Sequence, residues 1–161
     1  MGIIIREMTK NDIEGKAYVH YKSCHETYSG LISDIYMKNI TLEKCIDTVN
    51  KYPENTIVAI ADSKVAGFAC YGQSRDEDMS DTGELIALYL LEKYKGRGIG
   101  KLLADACFEK MSDYTRVSLW VLSQNKNAIG FYENYGFRAD GVKKTIRLGE
   151  PIEKMRMIKY H

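Results

Sequence analysis

Residues 84–107 read ELIALYLLEKYKGRGIGKLLADAC. The opening run, ELIALYLL, is apolar at nearly every position, as expected of a strand covered on both faces. Gly96, Gly98 and Gly100 then alternate with Arg97 and Ile99. From Ile99 the apolar residues Leu102, Leu103, Ala106 and Cys107 take up the spacing of one helix face. The glycines therefore stand where a strand hands over to a helix. The first turn of a helix has N–H groups without partners and carries partial positive charge. Without a Cβ in the way, an anion reaches such a backbone closely. A pyrophosphate suits the amides from Gly96 to Gly100, with Lys95, Arg97 or Lys101 adding charge. The competing account is a strand-to-helix turn with no ligand, but three glycines in five residues between cations exceed what a turn requires.

Spacing excludes the two familiar nucleotide loops. A Walker A loop needs G-x-x-x-x-G-K-[ST], and here Gly100-Lys101 is followed by Leu102, so the metal-binding hydroxyl is missing. A dinucleotide fingerprint needs G-x-G-x-x-G. Counting from Gly96 the sixth position is Lys101, and from Gly98 it is Leu103.

Working outward, IIIREM reads as a strand, and Thr9 followed by Asp12 three residues later opens a helix expected to reach about Tyr21. Residues 24–40 look irregular, and Thr41 to about Tyr52 reads as a second helix stopped before Pro53. TIVAIA and KVAGFACYG flank Asp62-Ser63, a tight antiparallel hairpin. Beyond the glycine segment come a strand, RVSLWVL, and a short helix, NKNAIGFYENYG, with Gly136 as its C-cap. FRADGVKKTIRL and IEKMRMIKY close the chain as a pair of strands. The order predicts one α/β domain over residues 1–161, a mixed sheet with helices on both faces.

The bulk properties fit. The chain has 161 residues, enough to bury a core without staples; 45% are hydrophobic, 28% charged, and the formal charge is +1. A near-neutral balance argues against a nucleic-acid coat, and no apolar run approaches the roughly 20 residues of a membrane helix. No export signal is visible, so the scattered Cys24, Cys45, Cys70 and Cys107 read as free thiols of a cytoplasmic protein. His20, His25 and His161 form no metal-ligand pattern, so no metal is expected.

ALYLLEKYKGRGIGKLL resembles the acyl-CoA pyrophosphate motif of the GNAT superfamily of N-acetyltransferases, Arg/Gln-x-x-Gly-x-Gly/Ala. Lys95, Gly98 and Gly100 occupy its positions, with Lys95 in place of the usual Arg or Gln. A second segment, NKNAIGFYENYGF, is similar to the family's Asn-x-x-Ala-x-x-Phe-Tyr-Glu-x-x-Gly-Phe, with Asn125, Ala128, Phe131, Tyr132, Glu133, Gly136 and Phe137 in register. The resemblance runs from about Glu84 to Phe137. It implies a GNAT-like fold, a mostly antiparallel sheet of six to seven strands, and direct transfer of an acetyl group from acetyl-CoA to a primary amine.

Such a reaction needs a base for the ammonium proton, an acid for the departing thiolate and donors for the carbonyl oxygen. The resemblance places Tyr132 near the CoA sulfur as the acid. It places Glu84, at the start of the buried strand, as the base, acting directly or through water. Asp81 and Glu26 are substitutes. The resemblance also has the backbone of Leu88, Tyr89 and Leu90 bind the pantetheine arm like an added strand, and Asn125 and Asn127 bond the cofactor's amide region. A helix N-cap is the plain alternative for Asn125.

The same resemblance puts Tyr21, His25, Tyr28 and Tyr36 over the acceptor pocket, where core packing is the competing account. The acidic stretch RDEDMSD draws in a cationic amine or is simply solvated. A small amine and a peptide remain alternatives as acceptor, and a non-catalytic acyl-CoA sensor or partner-binding protein is the competing function. No nucleic-acid or membrane partner is expected. Dimers are common among similar proteins, which makes a homodimer an expectation. PIEKMRMIKY alternates as an edge or shared strand does, though its basic residues equally protect a free edge.

Overall fold

A computed structural model describes residues 2–161. The elements are β1 (Ile4–Glu7), α1 (Ile13–Tyr28), α2 (Asp34–Met37), α3 (Leu42–Lys51), β2 (Thr56–Ala61), β3 (Lys64–Gln73), β4 (Gly83–Leu90), α4 (Ile99–Lys110), β5 (Arg116–Leu122), α5 (Lys126–Tyr135), β6 (Arg138–Leu148) and β7 (Glu150–Tyr160). They form a single mixed α/β domain around one seven-stranded sheet of order β1-β2-β3-β4-β5-β7-β6. All neighbours are antiparallel except β4 and β5, which run parallel.

The sequence signals explain most of this. Asp12 accepts from the Thr9 N–H at 2.7 Å and binds Arg6, which fixes the entry to α1. Asp62 and Ser63 both adopt positive φ, 53° and 62°, the conformation a two-residue hairpin with the right twist requires. Thr41 caps α3 by accepting from Lys44 N–H, and Gly136 ends α5 at φ 117°.

Two readings need correcting. The first helix continues seven residues beyond Tyr21, and Asp34–Met37 adds a further helical turn inside the stretch read as irregular. The reason is burial: Lys16, Ala17, Val19, Ser23 and Cys24 are all covered, so α1 carries polar residues on its buried side and shows no clean apolar stripe. The terminal strand β7 is not an edge. It lies between β5 and β6, and the edge belongs to β6.

The main core joins β2, β3, β4 and β5 to α4 and to Phe137, with Val58, Phe68, Leu103, Val117, Leu119 and Phe137 almost inaccessible to solvent. A smaller cluster packs α1 on α3 through Ala17, Cys45 and Val49. A third sets Ile32 and Met37 against Leu122 of β5, with Leu148 and Ile152 of the closing hairpin alongside. Helices thus cover both faces of the sheet, and residues of the third cluster border a cleft.

Among the described residues no helix is long and apolar enough to cross a membrane, the four cysteines are free, and no metal-binding group of His, Cys, Asp or Glu occurs.

Candidate active site

The parallel pair is short. β4 and β5 are in register only at Gly83–Val117 and Glu84–Ser118, after which β4 runs on to Leu90 and β5 to Leu122 without a ladder between them. On its other side β4 is bulged: Cys70 lies opposite Ala87 and Tyr71 opposite Leu85, which leaves Ile86 as the extra residue. Splay and bulge together open a cleft of about 1200 Å³ in the middle of the sheet. Leu88, Tyr89 and Leu90 line it, paired to β3 on one side and presenting main chain on the other.

The glycine segment forms one rim. Gly96 and Gly98 both sit at φ 80°, a conformation L side chains rarely adopt, and a Cβ on either would meet open space. Gly98 is the N-cap of α4. Gly100 has a different reason: a Cβ there would lie 3.1 Å from the Phe131 ring of α5. Two glycines therefore shape the backbone and the third lets two helices approach. Lys95, Gly96, Gly98, Ile99, Gly100 and Lys101 line the cleft. Lys95 pairs with Glu92 at 3.0 Å and Lys101 with Asp105 at 2.9 Å. Arg97 is not on the wall; its guanidinium lies 5.7 Å from the centre of the Tyr94 ring.

Helix α5 supplies the facing rim. Asn125 Oδ1 accepts from the Ala128 N–H, so the residue is a cap, while its amide nitrogen stays available to the cleft it lines together with Asn127. Tyr132 projects from the same helix into the cleft wall and packs edge-on against Phe131 and Phe137. Burial pushes its phenol well above the ordinary range, with Tyr28 nearby adding to the effect.

The other sequence-derived candidates divide. Tyr28 and Tyr36 line the cleft, and the Tyr28 hydroxyl is 3.5 Å from that of Tyr89. Tyr21 and His25 are not on the wall. His25 Nε2 is 2.9 Å from the Ile40 carbonyl, tying α1 to the segment before α3, and Tyr21 stacks on His25 at 4.9 Å. Glu84 is 1% exposed and also off the wall. Its Oε2 takes the Arg75 Nη2 at 2.7 Å, and its Oε1 takes the Arg75 backbone N–H at 3.1 Å. Of the substitutes, Glu26 lines the cleft and accepts from the Glu92 N–H, while Asp81 is exposed beside Arg116.

Several wall residues escaped the sequence reading, His20, Trp120 and Lys154 among them. His20 lies against Tyr89 and Phe68, its Nδ1 is buried without a partner, and burial followed by the charge of Lys16 holds its pKa down at about 4. Trp120 donates to Asp76 and carries the Lys144 ammonium 4.0 Å from its ring centre. Lys154 reaches the wall from β7. Only Trp120 had a signal of its own, as a lone tryptophan in an otherwise aliphatic strand.

Comparison with known proteins places this geometry. The model of the acetyltransferase (GNAT) family matches residues 18–137. The chain is 31% identical to an uncharacterised N-acetyltransferase, YuaI of Bacillus subtilis, covering 92% of this chain and 93% of that one. It is 28% identical to a spermidine N(1)-acetyltransferase of Thermoplasma acidophilum, over 87% of this chain and 91% of the other. Among solved structures, the PaiA N-acetyltransferase of Thermoplasma acidophilum in complex with coenzyme A superimposes with a TM-score of 0.75 at 25% identity, over the full length of both chains.

Proposed function

The chain belongs to the GNAT acetyltransferase family and is an acyltransferase, and we propose that it moves the acetyl group of acetyl-CoA directly to a primary amine held in the same cleft. The observation that carries this reading is the splay of β4 from β5 between the glycine-shaped start of α4 and Tyr132 of α5.

The residues fit the cosubstrate. Gly96 and Gly98 leave main chain bare at a helix N-terminus, where a pyrophosphate is favoured. The unpaired side of β4 from Leu88 to Leu90 takes an extended amide-bearing arm by strand addition. Asn125 and Asn127 donate from the facing rim. Acetyl-CoA supplies the thioester, which transfers its acyl group and leaves as a thiol.

Tyr132 is the proposed acid. Its phenol lies in the cleft wall and is protonated at neutral pH, and it can give that proton to the leaving sulfur as negative charge develops there, which offsets the burial that otherwise holds the proton on. A main-chain N–H of β4 beyond the bulge stabilises the carbonyl oxygen as it gains charge. Of the two routes open to Glu84, its burial against Arg75 favours the indirect one: the ammonium proton passes first to water and then toward the carboxylate.

The test is twofold. Acetyl-CoA and CoA, each at about 100 times the dissociation constant, should stabilise the protein by about 2.7 kcal/mol. For a domain of this size that raises the thermal midpoint by roughly 5–10 °C, while ATP and NAD leave it unchanged. Thiol release should then depend on an added amine. A CoA shift without amine-dependent thiol release across a broad amine panel would point instead to a sensor, and no CoA shift would overturn the reading altogether.

A further inference from the structure

The cleft has two chemically different ends. Toward α4 and α5 its charged side chains have partners: Lys95 is on Glu92, Lys101 on Asp105, Glu26 on the Glu92 amide, and Lys126 on the Ser123 carbonyl. On the other face the wall is built by the α1–α2 connection and the closing hairpin, with Leu31, Tyr36, Ile146 and Leu148 as its apolar surface. Lys154 lies on this face. It is opposite Leu122 across the β5–β7 ladder and two residues from Ile152, which packs in the same cluster.

The Lys154 side chain makes no hydrogen bond or ion pair with any of the described residues. It is partly covered, and its cross-strand neighbour is another cation, Lys144. The nearby carboxylates are already used: Glu84 holds Arg75, and Asp76, Asp78 and Asp140 hold Arg156. Burial, then Lys144 and Arg75, lower the Lys154 pKa, and Glu84 only partly offsets them. An unpaired ammonium kept on an apolar wall is costly to the free protein unless a ligand completes it.

We infer that the acceptor amine carries a carboxylate on the same molecule, and that Lys154 binds it while Leu31, Tyr36, Ile146 and Leu148 take the carbon chain between the two groups. This rests on the acetyl-transfer reading above and narrows its substrate class. A polycation such as spermidine would instead bring like charge against Lys154. Lys154 acts through ground-state binding of the acceptor, so its effect belongs in the acceptor KM rather than in kcat.

The experiment compares matched amines that differ by the carboxylate alone: 4-aminobutanoate with butylamine, and 6-aminohexanoate with hexylamine, with spermidine as the polycation. The wild type should prefer at least one acid over its matched amine by about tenfold or more in kcat/KM. Lys154→Met should remove that preference through KM, and Lys154→Glu should reverse it and improve spermidine. The peptides Ala-Glu-Ala and Ala-Gln-Ala, both as C-terminal amides, show whether a peptide side chain or a small amino acid is the better source of the carboxylate. Hexanoate, which cannot react, should bind the CoA complex of the wild type and bind the Lys154→Met complex at least tenfold more weakly. Amines acetylated as well as or better than their acids, or an acid preference unchanged in Lys154→Met, would overturn the inference and leave acetyl transfer standing. Absence of acetylation from the whole panel together with normal hexanoate binding would count against the transfer reading while keeping the role of Lys154. Loss of both would overturn both.

Discussion

Tyr132 and His20 show how burial tunes two groups of one cleft in opposite senses. Desolvation disfavours the charged form, so it raises a phenol and lowers an imidazole. The pKa of Tyr132 is raised and its phenol stays protonated, as the acid role proposed for it requires. Tyr132→Phe should lower kcat by about 100-fold, with the KM for acetyl-CoA changed little, as steady-state kinetics would read. His20, at about 4, is neutral in the folded protein and faces Lys16 of its own helix and the rings of Tyr89 and Phe68. Its folded pKa lies below the unfolded value near 6.5, so the unfolded chain binds the extra proton. Stability from this group is therefore complete above about pH 6.5 and is lost as the pH falls toward 4, by about 3 kcal/mol at the acid end. His20→Gln should flatten that limb of a denaturation-midpoint profile; an unchanged slope would show that another group controls it.

The glycine segment and α5 act as a unit. Gly98 caps α4 in a left-handed conformation, while Gly100 exists to admit the Phe131 ring, so equal substitutions should behave differently. In Gly100→Ala, overpacking of about 1–3 kcal/mol competes with about 1 kcal/mol of helix propensity gained. A net loss near 1 kcal/mol is expected. Trimming the ring in Gly100→Ala/Phe131→Leu should relieve it, and a double-mutant cycle in urea measures the coupling. Additive losses would show that the two helices do not meet there. The same element accounts for what α5 revealed in advance. Asn125 reads both as a cap and as a wall residue, and it is both, because one amide has an acceptor for the backbone and a donor for the cleft.

Across the molecule, the acidic stretch that suggested attraction of a cationic amine has a different principal use. Asp76 and Asp78 from that loop and Asp140 from β6 converge on Arg156 of β7, which is 3% exposed. This contact fastens the loop following β3 to the far side of the sheet. It also positions Trp120, whose indole donates to Asp76. Removing the arginine leaves three carboxylates facing one another. Arg156→Met should lower the thermal midpoint by several degrees and make residues 74–82 the first site of limited proteolysis. Cleavage beginning elsewhere, at an unchanged midpoint, would show that the loop is held by other contacts.

How far the sequence could be read follows from the range of the interactions involved. ELIALYLL, the glycine run and NKNAIGFYENYGF carry local rules of burial, φ and capping, so the central strand, the start of α4 and the helix that carries Tyr132 were legible, and with them the family. The Asp62-Ser63 hairpin was legible for the same reason. The length of α1 was not, because its buried side carries Lys16 and Ser23 and so shows no clean apolar stripe. The pairing of Glu84 with Arg75, the burial of β7 between two strands, and the arrival of His20, Trp120 and Lys154 around one cleft all depend on which elements lie side by side. Sequence alone determined the local conformations and the bare main chain they leave at the start of α4. Only the tertiary structure decided which charges are neutralised and which face the cleft, because an ion pair depends on distances that chain order does not encode.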